Sequence, residues 1–184
     1  MRAIPNALSV ARALLALPLV WTVSAGAHGA ALALLALAVL SDVLDGRLAR
    51  RLEAVRSVAG ASGAAPAGPV DTGRRLGGYL DVGADAVFLV AGLTALWVVC
   101  AAPGWLPLVA IAMLARFLAT PTLSGPLYDP VGRHYGSLLY SVLAVRLAAA
   151  PAPVWVATLA AVAAATAVSL AGRTLFLRRS AAAR

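Results

Sequence analysis

Seven acidic residues occur in the 184-residue chain, and four of them form two pairs, Asp42 with Asp45 and Asp81 with Asp85. Residues three or four apart share a helix face, so each pair sets two carboxylates side by side once its segment is helical. Each pair also borders a long apolar run, where a charge near hydrocarbon costs about 2.5–3.5 kcal/mol on insertion scales. Four carboxylates gathered at one depth cannot all stay ionised without compensating positive charge. Carboxylate oxygens suit Mg²⁺ or Mn²⁺. Two such ions can clamp a phosphoryl group and stabilise both the attacking and the leaving oxygens. The competing reading is that the aspartates pair with Arg47, Arg50, Arg74 and Arg75 and merely anchor helix ends at an interface. Two helical pairs on consecutive segments favour the metal.

Positioning those pairs falls to a chain that is 62% hydrophobic and only 12% charged. Soluble domains carry about a quarter charged residues. The composition therefore predicts an all-α, polytopic membrane protein. Six apolar segments stand out, roughly Pro5–Ser24, Ala30–Ala49, Gly77–Cys100, Trp105–Thr120, Tyr135–Ala149 and Val154–Leu175. Each is near the ~20 residues a spanning helix needs, the fourth and fifth being short. Turn-forming stretches separate them: "GAHG" at 26–29, "AAPG" at 101–104, "PTLSGPLYDP" at 121–130 and "PAP" at 151–153. One aspartate pair closes the second segment and the other opens the third, so consecutive helices deliver both to one side.

The net charge of +8 mainly reports topology, and every one of the fifteen basic residues is arginine. Arg2 precedes the first segment, and Arg47, Arg50, Arg51, Arg56, Arg74 and Arg75 lie between the second and third. Arg133 lies between the fourth and fifth; Arg173, Arg178, Arg179 and Arg184 follow the sixth. The loops after segments one, three and five contain none. By the positive-inside rule both termini are cytoplasmic. Residues 1–30 also have the layout of a secretory signal, but its removal would not reorient the other five segments. The stretch "VAGASGAAPAGPV" at 58–70 lacks large apolar residues, so 51–76 reads as a flexible cytoplasmic loop in one membrane domain spanning 1–184. Cys100 alone allows no internal disulfide, and His28 and His134 have no Cys or His neighbour with which to bind zinc.

"DVLDGRLAR" at 42–50, followed by "GGYLDVGAD" at 77–85, resembles the CDP-alcohol phosphatidyltransferase signature, D-x-x-D-G-x-x-A-R followed by G-x-x-x-D-x-x-x-D. Asp42, Asp45, Gly46, Ala49, Arg50, Gly77, Asp81 and Asp85 fill every fixed position. "IPNALSVAR" at 4–12 is similar to the family's first-helix entry, and six spans with cytoplasmic termini match its architecture. The resemblance implies a reaction in which an alcohol attacks the phosphorus of a CDP-linked lipid, usually CDP-diacylglycerol, and CMP leaves. It implies that Asp42, Asp45, Asp81 and Asp85 hold two Mg²⁺ or Mn²⁺ ions, with Asp85 also the general base toward the acceptor hydroxyl. Asn6, Ser9, Gly46, Ala49, Arg50 and Gly77 would hold the CDP end. A homodimer follows from the same resemblance, while the arginine distribution turns the site toward the cytoplasm; the expected setting is the plasma membrane among membrane lipids, with no nucleic-acid partner. Three positions depart from the pattern. Residues Arg51–Leu76 intervene where the family usually has about eight, Arg74 replaces a frequent Ser or Thr, and Ala86 replaces a frequent basic residue.

Arg116, in "LARFLAT", and Arg133, in "VGRHYGS", are acceptor-site candidates, because a phosphorylated acceptor needs cations. Arg12 divides evenly between snorkelling to the interface and a donor-site role. Arg146 reads as a snorkelling or helix-contact residue, and the Trp and Tyr residues as an interfacial belt. "LDVGAD" and "IPNALS" tilt the resemblance toward phosphatidylglycerophosphate and cardiolipin synthases, with glycerol-3-phosphate or phosphatidylglycerol as acceptor. Two readings of other classes compete: a divalent-cation or proton transporter using the aspartates, and a catalytically inactive membrane scaffold. Nothing acidic lines the opposite halves of the second and third segments, which weighs against an ion route.

Overall fold

A computed structural model describes residues 3–60, 72–119 and 132–182. Among these residues every regular element is a helix and no strand occurs. The helices are α1 (Ala3–Leu14), α2 (Ala16–Ser24), α3 (His28–Gly60), α4 (Thr72–Cys100), α5 (Trp105–Ala119), α6 (Gly132–Leu147) and α7 (Ala152–Ala182). Asp81–Cys100 and Ala152–Ala171 are each 20 residues long and apolar enough to cross a membrane. Ser9–Ser24, His28–Leu44 and Trp105–Ala115 are apolar but shorter.

The first expected segment is two helices, not one, and Pro18 supplies the reason. A proline has no N–H to donate to the carbonyl four residues back, here that of Leu14, and its ring crowds that carbonyl. The helix accordingly breaks at Leu15, whose N–H is shared between the carbonyls of Ala11 at 3.0 Å and Arg12 at 3.1 Å. The expected 51–76 loop is also shorter than the composition suggested. Residues 51–60 continue α3 and 72–76 begin α4, leaving 61–71 outside the described residues. "RRLEAVRSV" is built of good helix formers, and charge that ends a membrane span does not end a helix.

The turns expected at 26–29, 101–104 and 151–153 follow the ends of α2, α4 and α6, while 121–130 lies outside the described residues. Gly26 (φ 68°), Ala101 (φ 51°) and Ala149 (φ 49°) adopt the left-handed backbone that lets a helix terminate. After Gly26 the Ala27 N–H returns to the Thr22 carbonyl at 2.9 Å, and after Ala149 the Ala150 N–H returns to Val145 at 3.1 Å.

α4 is the central helix, packed by α1, α2, α5 and α6, while α3 lies against α1, α2 and α6 and α7 packs on α6. Its inner face follows alternating four- and three-residue steps through Asp81, Asp85, Phe88 and Gly92, so the aspartates share a face with the core. Facing it, Ser9, Arg12, Ala16, Leu19 and Val23 run in three- and four-residue steps along α1 and α2, all buried. The seam passes straight through the Leu15 break. On α3 the same rhythm takes Ala31, Leu35 and Ala38 into the core and then reaches Asp42. A methyl on Gly92 would sit 2.9 Å from Leu19 Cδ2 and 3.0 Å from Leu143 Cδ2, so its missing side chain lets α2, α4 and α6 approach closely.

Candidate functional site

The apolar seam turns polar at one end, and there three helices converge on one buried cation. Arg12 of α1 is 0% exposed, whereas the side chains of Asp42, Asp81 and Asp85 keep 52%, 41% and 30% of their surface. Its Nη1 donates to Asp85 Oδ1 at 2.5 Å and to Asp81 Oδ1 at 3.2 Å, and lies 3.5 Å from Asp42 Oδ1. Burying a guanidinium is tolerable only when it is paired and hydrogen-bonded. These contacts supply both conditions.

Polar neighbours fix the rest of the arrangement. Arg12 Nε donates to Ser41 Oγ at 3.3 Å, while that hydroxyl gives its own proton to the Ala38 carbonyl at 2.7 Å. Ser41 therefore faces Arg12 as an acceptor, immediately before the first aspartate of the pair on α3. Ser9 Oγ donates to Asp81 Oδ1 at 3.2 Å. From α6, Tyr140 donates its hydroxyl to Asp85 Oδ1 at 3.2 Å, and its ring stacks on Phe88 with centroids 5.9 Å apart. Asp85 is thus gripped from two sides by groups on two other helices.

The expected site residues divide accordingly. Ser9, Asp42, Asp81 and Asp85 come together. Asn6, Asp45, Gly46, Ala49, Arg50, Gly77, Arg116 and Arg133 occupy helical positions, but their side chains lie outside the described residues. The competing reading paired the aspartates with Arg47, Arg50, Arg74 and Arg75, of which the last three have side chains outside the described residues; among the described residues the cation that meets Asp42, Asp81 and Asp85 is Arg12. Tyr140 and Ser41 were not singled out from sequence. Tyr140 is a site contact rather than a belt residue, and nothing in its own neighbourhood marks it, since α6 brings it to Asp85 only through the fold.

At the other end of α4, Arg146 of α6 donates from Nη2 to the Cys100 carbonyl at 2.5 Å, and its guanidinium lies 5.7 Å from the centroid of the Trp155 ring. That carbonyl belongs to the last helical residue, where intrahelical donors run out and a basic side chain can cap. Arg146 therefore joins α4, α6 and α7 rather than lining the carboxylate site.

The model of the CDP-alcohol phosphatidyltransferase family matches residues 2–61. Ser9, Arg12, Ser41 and the Asp42–Asp45 pair lie inside the match, about a third of the chain, whereas Asp81 and Asp85 lie beyond it. Neither a curated protein nor a solved structure matches the chain.

The family is generally dependent on divalent metal, and oxygen-rich carboxylates are the right donors for one. The arrangement does not fit: among the described residues no group of three or more His, Cys, Asp or Glu side chains is placed to hold a metal ion. Arg12 is the physical reason. Its Nη1 stands at the point toward which the three Oδ1 atoms turn, and they are spaced for nitrogen at 2.5–3.5 Å. Mg²⁺ demands oxygens at about 2.0–2.1 Å in near-octahedral array.

Proposed function

We propose that this chain is a membrane enzyme that transfers a phosphatidyl, or other substituted phosphate, group from a CDP-linked lipid to an alcohol and releases CMP. The observation that carries the reading is the convergence of Ser9 and Arg12, Asp42, and Asp81 and Asp85 from three helices at one end of an apolar seam. The family match over residues 2–61 supports it from the sequence side. CDP-diacylglycerol is the favoured donor, its acyl chains in the bilayer beside α3 and α4 and its diphosphate at their polar ends. Glycerol-3-phosphate or phosphatidylglycerol is the favoured acceptor, as in phosphatidylglycerophosphate and cardiolipin synthases, with Arg116 and Arg133 as its cations.

In this reading Asp85 takes the proton of the acceptor hydroxyl as that oxygen attacks phosphorus. A base must be held within reach of its proton, and Arg12 and Tyr140 fix the orientation of its carboxylate. Asn6, Ser9, Gly46, Ala49, Arg50 and Gly77 are the residues assigned in this reading to hold the CDP end. The two long apolar helices support a membrane protein, and the proposed setting is multi-pass in the plasma membrane. The arginine distribution supports a site facing the cytoplasm, and the proposed assembly is a homodimer.

The test is CMP release from CDP-diacylglycerol by the purified chain with Mn²⁺ or Mg²⁺, offered glycerol-3-phosphate, phosphatidylglycerol, inositol phosphate or serine. One acceptor should support release, and Asp85→Asn should lower it by about 10²–10⁴-fold, the usual contribution of a general base. Release with none of the four, together with no binding of CDP, would overturn the reading in favour of a scaffold or transporter.

A further inference from the structure

We propose that Arg146, at the end of the helical array opposite the carboxylate cluster, binds the phosphate of an anionic phospholipid headgroup. The distribution of charge leads there. The stretches 13–41, 86–115 and 135–172 run to that end and back, and between them they hold a single charged residue, Arg146. Helix ends do not balance it. α2, α4 and α6 finish there while α3, α5 and α7 begin there, so the partial charges of about half a unit at helix termini cancel in pairs. All seven acids lie elsewhere, at 42–85 or at 129 in the stretch joining α5 to α6. A positive charge near hydrocarbon costs about 2.5–3.5 kcal/mol on insertion scales and calls for a partner. At this end the chain itself supplies no counterion.

The guanidinium is fixed there without being used up. Nη2 donates to the Cys100 carbonyl at 2.5 Å, and the Trp155 ring lies against the group. Nε is enclosed, so Nη1 is the remaining edge, and it has no partner among the described residues. Guanidinium donors suit phosphate oxygens in both geometry and charge. The depth is right as well. All four tryptophans, Trp21, Trp97, Trp105 and Trp155, lie toward this end, the first three exposed. Tryptophan collects at the headgroup level of a bilayer, which brings lipid phosphate to the height of the unbalanced charge. A zwitterionic lipid carries its own cation, so the surplus selects an anionic one. This inference rests on the proposed function only for a bilayer around the helices.

The experiment is fluorescence quenching of the full-length chain in vesicles of mixed phosphatidylglycerol and phosphatidylcholine, one lipid or the other brominated in its acyl chains. Trp21, Trp97 and Trp105 are replaced by Phe so that Trp155 alone reports. Trp155 is remote from the carboxylate cluster, so lipid bound there as acceptor is not read. Phosphatidylglycerol should be favoured beside Trp155 by about fivefold, the usual attraction of one arginine for an anionic surface. Arg146→Gln, which keeps a donor for the Cys100 carbonyl, should remove the preference, and Arg146→Lys should retain it. Equal quenching by the two lipids would overturn the proposal, as would a preference that survives in Arg146→Gln. A preference erased by millimolar inorganic phosphate at constant ionic strength would assign the site to a free anion and overturn the lipid. Where Arg146→Gln cannot be recovered folded, salt of about 1 M decides, because it screens charge beyond about 3 Å: a collapsed preference upholds the proposal, and a persistent one overturns it. A preference in a chain that releases no CMP would sink the enzymatic reading and leave this inference standing; CMP release without the preference would do the reverse.

Discussion

Arg12 and Arg146 are both held inside the helical array, but at opposite ends of α4, and they are used differently. Arg12 meets three carboxylates and a hydroxyl acceptor. Arg146 meets a main-chain carbonyl and the Trp155 ring, and its buried Nε has no hydrogen-bond partner among the described residues. Asp85 and Cys100 are fifteen positions apart on one helix, about 22 Å at 1.5 Å per residue. The same side chain therefore ends a helix in one place and neutralises an acid cluster in the other. Its partners decide which: a carbonyl asks only for a donor, whereas gathered carboxylates ask for charge.

The comparison is broken most directly by removing each guanidinium while keeping apolar bulk. Arg12→Met should cost about 2–4 kcal/mol in the absence of metal and abolish CMP release; the cost stays below that of a fully buried pair because the aspartates are partly open. Arg146→Met should cost about 1–2 kcal/mol, from one charge-assisted hydrogen bond and one cation–π contact, and leave turnover intact. Equal loss of activity in both would mean that both arginines serve only the packing. Gly92→Ala tests whether the packing between the two ends matters to either. The added methyl must displace Leu19 and Leu143, and thermal unfolding should show a loss of about 1–3 kcal/mol, the usual cost of overpacking. The smallest effect is expected at the Arg146 end. Ala101 holds the left-handed backbone, which costs a side-chain-bearing residue about 1–2 kcal/mol. Ala101→Gly should therefore raise stability by about 1 kcal/mol after the extra entropy of the unfolded glycine, with CMP release unchanged.

The aspartates were legible because charge against an apolar run is conspicuous, and their spacing of three and four fixes a shared helix face. The turns were legible from their Gly and Pro residues. Arg12 was half legible. Counting back from Leu19 through Ala16 in steps of three and four places Arg12 and Ser9 on the buried seam, but a hydropathy reading of the first segment averages that rhythm away. The extent of α3 was misjudged for a related reason: hydropathy marks where a helix can leave a membrane, while the helix-forming residues that follow carry α3 on as far as Gly60 among the described residues. Tyr140 could not be read at all, because its role depends on how α6 meets α4. A contact between distant helices leaves no local periodicity.

The break at Leu15 has a mechanical consequence. α1 carries Ser9 and Arg12, while α2 carries the apolar anchors Leu19 and Val23. In an unbroken helix, tilting one half against the other stretches a ladder of main-chain bonds. Here the rung between Leu14 and Pro18 is already missing, so the first bend at this point strains no bond there. The polar head of the molecule is joined to its apolar root through a compliant joint, and Arg12 can be re-aimed by degrees while Leu19 stays in its socket.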